Sequence, residues 1–193
     1  MKKIILLSLM TSLLFCSCAS TKKKLKASEP YPSQINWPEA YTPEKAGFFV
    51  HNEIDINASP EIVWGILIAA ETWPDWYEGA LNVQVKNSDK GILEKDSTFS
   101  WKTMGLNFES EIKEFEPYSR LSWESVKNSI KGYHSWLIIP TDMGCKLVTE
   151  ESQKGFLTFM EKTFQPKKLE RLHQIWLEGI QQKAEKKTKK YNP

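Results

Sequence analysis

Residues 48–67 read FFVHNEIDINASPEIVWGIL, and the apolar period changes inside this stretch. Phe48, Val50, Ile54 and Ile56 share one parity and His51, Glu53 and Asp55 the other, with only Asn52 interrupting the apolar face. Period two predicts a half-buried strand. Beyond Asn57 the pattern becomes helical, and Ile62, Trp64, Ile66, Leu67 and Ile68 supply the buried stripe. Ser59 is placed to cap this helix, Pro60 suits its first position and Glu61 complements its positive end.

The next segment, ETWPDWYEG (71–79), breaks the helix, because Pro74 lacks a donor and pushes Trp73 out of helical geometry. Read alone, its rings (Trp73, Trp76, Tyr77) and carboxylates (Glu71, Asp75, Glu78) suit a sugar or cation clamp. In context it joins a helix to a strand, so Trp73 and Trp76 are expected as wedges of a turn. Trp76 or Tyr77 is left as part of a cavity rim.

Six short alternating runs follow at 81–87, 97–104, 106–117, 120–125, 133–140 and 145–151. Asp-Lys-Gly, Met-Gly-Leu, Pro-Tyr-Ser, Lys-Gly and Asp-Met-Gly turns separate them, predicting an antiparallel meander. The chain closes with a long amphipathic helix marked by Leu169, Leu172, Ile175, Trp176 and Ile180, and Pro166 sets off residues 156–164 as a separate helical lead-in. Seven strands and one long helix bury both apolar faces only by packing on each other, an α+β two-layer domain. A curved sheet cannot meet a straight helix everywhere, which leaves an internal space suited to apolar ligands.

The order of elements, with INASPEIVWGIL, WPDWYEGALNVQV, FEPYSRLSWES and HSWLIIPTDMGCKLVTEES, resembles the START-like superfamily, also labelled SRPBCC. That superfamily includes polyketide cyclase/dehydrase-type proteins and birch-pollen-allergen-like carriers. The likeness spans residues 47–187 and implies a helix-grip fold, a curved seven-stranded antiparallel sheet around the C-terminal helix. It also implies a small hydrophobic ligand, lipid-, isoprenoid- or polyketide-like. Candidate ligand contacts are Trp76, Tyr77, Phe99, Trp101, Trp123, His134, Trp136, Ile138 and Trp176, although the same rings can fill a cavity as readily as line it.

The N-terminus has a basic start (Lys2, Lys3), an apolar run from Ile4 to Phe15 and Ser17-Cys18-Ala19, and is similar to a bacterial lipoprotein signal. The run is too short to cross a bilayer. Residues 1–17 are therefore expected as signal, Cys18 as the lipidated residue, and 18–45 as a Lys- and Pro-rich tether. The domain is placed at 46–187 and a basic tail at 188–193. A lipid anchor in the bacterial cell envelope follows, facing the periplasm from the outer membrane in a Gram-negative cell.

The 193 residues carry a net charge of +2, yet residues 27–180 hold 15 Lys and Arg against 23 Asp and Glu, a net of −8. An acidic body is a poor nucleic-acid binder, while the Lys-rich ends suit anionic headgroups. With Cys18 lipidated, Cys145 has no disulfide partner and reads as a small buried hydrophobe. The spacing of His51, His134 and His173 fits no metal-ligand motif, and no cofactor is expected. His134 shares a strand face with Trp136 and Ile138, and of Glu150 and Glu151 one must face each way. His134 and Glu151 are thus candidate acid–base groups, without a GxSxG elbow, HExxH or phosphate loop beside them. A carrier or binding domain is the leading reading. A cyclase, dehydratase or hydrolase-like enzyme using His134 or a cavity carboxylate, and an envelope interaction module, are its rivals. Nothing in the sequence fixes an oligomeric state.

Overall fold

A computed structural model describes residues 34–86 and 88–191. The expected signal, the Cys18 site and most of the tether lie outside the described residues. The change of period at 48–67 produces β1 (Phe48–Ile56) and α1 (Pro60–Leu67). Ser59 is the N-cap by position, and its carbonyl accepts from the amides of Ile62 and Val63. Its side chain makes no cap bond to the helix backbone, contrary to the expected role. Residues 70–75 form a 3-10 segment with Pro74 inside it, and the Trp73 indole donates to the Leu67 carbonyl at 3.1 Å.

The meander comprises β2 (Leu81–Lys86), β3 (Thr98–Thr103), β4 (Leu106–Glu116), β5 (Arg120–Lys127), β6 (Ile130–Thr141) and β7 (Gly144–Lys154). With β1 these form one antiparallel sheet in the order β1-β7-β6-β5-β4-β3-β2. Register shifts between Leu81 and Gln84 and between Ile112 and Glu114 add local bends, as bulges do. Lys131-Gly132, expected as a turn, instead lies within β6, opposite Lys154 and Gln153. The turn falls at Asn128-Ser129. Gly132 serves space rather than direction, because a Cβ there would stand 3.1 Å from Glu151 Oε1.

Two helices complete the fold, α2 (Phe156–Phe164) and α3 (Lys168–Tyr191), so residues 188–191 extend the long helix. The helix α3 packs on β1 and α1 across the concave face of the sheet. The core between them is aromatic. Trp73 meets Trp176 edge-on at 4.9 Å, Tyr77 stacks on Trp176 at 4.4 Å, and Trp101, Trp123 and Trp136 surround them. Such pairs contribute about 0.5–1.5 kcal/mol each beyond the area they bury.

Residues 34–45, expected as tether, instead strap the outer face of the sheet. Ile35 packs on Leu137 and Val148, Tyr41 stacks on Tyr133 at 5.5 Å, and the Tyr41 hydroxyl donates to Glu124 at 2.5 Å. Around β6 the sheet is therefore covered on both faces, which explains why β6 is buried at consecutive positions from Tyr133 to Ile138. Starting the chain at Gly47 rather than Gln34 is expected to cost about 3 kcal/mol or more, by analogy with large-to-small core changes. A melting temperature lowered by roughly 6 °C or more in thermal denaturation checks it.

Candidate functional site

A cavity of about 50 Å³ lies between the sheet and α3. One wall is apolar, with Trp101, Leu106, Phe108, Trp123, Leu169 and Trp176. The other is polar, with His134, Glu151, Gln153, Glu161 and His173.

The β6–β7 register builds the polar wall, since His134 pairs directly with Glu151 and both point inward. Glu150, of opposite parity, reaches the other face and lies 2.8 Å from His51 Nδ1. Across the cavity α3 supplies His173, one turn before Trp176. His134 Nδ1 lies 3.3 Å and His173 Nε2 lies 3.2 Å from the same oxygen, Glu151 Oε2. His134 Nε2 lies 2.7 Å from Thr149 Oγ1, and the Gln153 amide donates to Glu151 Oε1 at 2.7 Å. The two imidazole rings are 4.6 Å apart.

Burial and the neighbouring His173 hold the His134 imidazole down at about 3, so it is neutral at pH 7. Burial pushes the Glu151 carboxyl up, but the His173 hydrogen bond leads the opposing effects and brings it down to about 2. The His173 and Gln153 hydrogen bonds both contribute to holding Glu151 as a carboxylate. Burial, with the Glu151 charge adding to it, pushes the Glu161 carboxyl up to about 7. Glu161 Oε1, His173 Nδ1 and the indole nitrogens of Trp123 and Trp176 are buried without hydrogen-bond partners.

Of the residues expected from sequence, Tyr77, Trp101, Trp123, His134, Glu151 and Trp176 meet at the cavity. Trp76, Phe99, Trp136 and Ile138 are not among its lining. Phe99, Trp136 and Ile138 are packed into the core. Trp76 lies against α3, where a Cβ on Gly179 would stand 2.8 Å from its ring, and Lys183 Nζ sits 5.4 Å over it. The residues that sequence reasoning missed are His173 and Glu161. Leu169, Leu172, His173 and Trp176 follow the i, i+3, i+4, i+7 spacing of a buried helix face, the signal that would have found the histidine.

The family model for polyketide cyclase / dehydrase and lipid transport proteins matches residues 48–185. The chain belongs to this family. Curated proteins give no match. Among solved structures, the hypothetical protein jhp0584 from Helicobacter pylori is similar at a TM-score of 0.72 and 28% identity, covering 78% of this chain and 95% of that one. A START superfamily protein from Mycobacterium smegmatis aligns at 0.56 and 16%, covering 70% and 99%. The di-domain ARO/CYC StfQ from the steffimycin biosynthetic pathway aligns at 0.61 and 11%, covering 72% of this chain and 52% of that one. The last two likenesses carry the fold, and the polyketide cyclase / dehydrase and lipid transport family accounts for the helix-grip arrangement of sheet and α3.

A carboxyl whose folded pKa exceeds its unfolded value binds its proton more tightly when folded, so the Glu161 contribution to stability falls as pH rises from about 4.5 to about 7. Glu161→Gln is expected to melt above the parent at pH 8, with the gap closing toward pH 5. Melting curves of both chains across this range check it. The loss of stability below pH 6.5 that follows from the depressed His134 pKa should be the same in both.

Proposed function

We propose that the domain binds a small apolar molecule bearing an oxygen acceptor in the cavity between the sheet and α3. The observation that carries this reading is an aromatic cavity with a polar end, lined by Trp123 and Trp176, whose indole N–H groups are buried without partners. An unpaired buried donor costs about 1–3 kcal/mol, which a ligand oxygen or a water molecule would recover. The family to which the chain belongs, described by lipid transport as well as cyclase and dehydrase activity, agrees with a ligand-binding role.

The ligand is bounded in size by the rings that fill the concavity. A space of about 50 Å³ holds a few waters, and drug-sized ligands occupy roughly 300–1,000 Å³. A lipid-, isoprenoid- or polyketide-sized occupant therefore requires Met104 and Leu106 at the β3–β4 turn, or α2, to move outward. Native mass spectrometry of the purified chain should show a co-purifying apolar species. Trp123→Phe, which keeps a large ring and removes the N–H, should lower affinity for that species roughly 2- to 12-fold, the value of one hydrogen bond. An empty chain that binds no apolar probe would overturn the reading. Chemical conversion of the bound species would favour the second reading, proton transfer by His134 or Glu151, which their place beside the cavity supports.

We also propose, from the lipoprotein-like pattern of residues 1–19, that the chain is held in the bacterial cell envelope through lipidated Cys18. The surface of α2 supports a membrane contact. Phe156, Phe159 and Phe164 are 62–69% exposed, while Thr158 is buried and Glu161 faces the cavity. Lys162 lies in α2, Lys167 between α2 and α3 and Arg171 in the first turn of α3, a composition suited to anionic headgroups. Cys18→Ser is expected to move the protein from the membrane to the soluble fraction. In the soluble Cys18→Ser chain, F156S/F159S/F164S should abolish sedimentation with phosphatidylglycerol vesicles. Unchanged sedimentation would place the contact elsewhere.

A further inference from the structure

We propose that His134, Glu151 and His173 bind one divalent transition-metal ion, Zn²⁺ by the chemistry of the donors, with an open coordination position facing the cavity. The three residues come from β6, β7 and α3 and offer donor atoms that all lie within 4.8 Å of one another. The separations of 3.3 Å and 3.2 Å from Glu151 Oε2 match a metal site. Bonds of about 2.0–2.2 Å at tetrahedral to octahedral angles set donor atoms roughly 3.0–3.4 Å apart.

A hydrogen-bonded cluster alone would show similar spacing, and the surroundings add what a cluster does not need. The ring nitrogen of His134 that faces away from Glu151 is held by Thr149 Oγ1, and the Glu151 oxygen not shared by the histidines is held by the Gln153 amide. Such outer contacts orient metal ligands and set the imidazole tautomer. Gly132 keeps the carboxylate's flank clear, since a Cβ there would press on Glu151 Oε1. The three ligands line the cavity, where a water or a ligand oxygen can take the remaining position. Glu161 lines the same cavity and has a buried, unpartnered oxygen, an acceptor available to a metal-bound water.

The donor set selects the ion. Two imidazoles with one carboxylate suit a borderline first-row cation, whereas Mg²⁺ and Ca²⁺ favour oxygen-only shells. The proposal rests on side-chain geometry and stands whether or not an apolar molecule enters the cavity.

Isothermal titration of the metal-stripped chain with ZnCl₂, backed by metal analysis after dialysis, is the test. One Zn²⁺ per chain is expected. His134→Gln, Glu151→Gln and His173→Gln should each weaken binding by more than about 10-fold, and Thr149→Val by roughly 10-fold, the usual loss on removing an outer partner. His51→Gln, on the opposite face, should bind as the parent does. Circular dichroism identifies any variant that fails to fold. The parent keeps the test decisive on its own, because its Co²⁺ form should show the visible absorption of a four- or five-coordinate ion. No stoichiometric Zn²⁺ or Co²⁺ binding by the parent, or folded His134 and His173 variants that bind as tightly as the parent, would overturn the proposal.

Discussion

Trp176 fills the concavity that a curved sheet leaves against a straight helix, and the arrangement of the interior depends on that packing. The indole is stacked on Tyr77 at 4.4 Å and met edge-on by Trp73 at 4.9 Å and Trp136 at 5.0 Å. Rings of this size cover large apolar areas and interlock with little free volume. They occupy much of the concavity, and the space that survives is bounded by Tyr77 and Trp176 on one side and by His134 and Glu151 on another. Site and core are thus two ends of one hollow, and a change in ring size at Trp176 or Trp123 alters both.

The polar end is stable only because its groups are mutually arranged. An ionised carboxylate taken out of water is costly unless hydrogen-bonded or paired. Glu151 receives the Gln153 amide on one oxygen and faces two imidazoles with the other. The β6–β7 register supplies this geometry without loops, since direct pairing of His134 with Glu151 sets both on the inner face. A one-residue slip of β6 would send His134 to the strap side and bring Ser135 inward, and a slip of β7 would exchange Glu151 for Glu150.

Much of this was legible in the sequence, where the signal was local. The switch of period at residues 48–67 predicted β1 and α1, and alternation predicted the strands and set His134 on one strand face with Trp136 and Ile138, but not which way that face points. The family likeness gave the helix-grip arrangement that the family match and the sheet order bear out. What was not legible depends on long-range pairing. The strap at 34–45 has no apolar period, because Ile35 and Tyr41 act as isolated anchors on a surface supplied by β5, β6 and β7. Lys131-Gly132 has turn composition, yet its glycine answers a carboxylate 19 positions later. His173 becomes a partner of His134 only when α3 crosses the sheet. Whether rings line a cavity or fill it is a matter of volume, which alternation does not encode.

The polarity of α2 departs from what a helix covering a core shows, although Leu157 packs against the core. Amphipathic helices in water turn their apolar stripe inward, whereas α2 exposes three phenylalanines and directs Glu161 to the cavity. Burial of the carboxyl raises its pKa and works against folding at neutral pH, so local stability alone does not account for the choice. Both features fit a helix that meets an apolar phase on its outside and a polar group on its inside. If the outer face rests on a bilayer, as proposed, the energy of inserting the phenylalanines becomes available to shift α2. Glu161 is the α2 residue that lines the cavity, so that same movement would open the cavity at Glu161. Membrane contact and access to the cavity would then be one event, coupled through a single nine-residue helix.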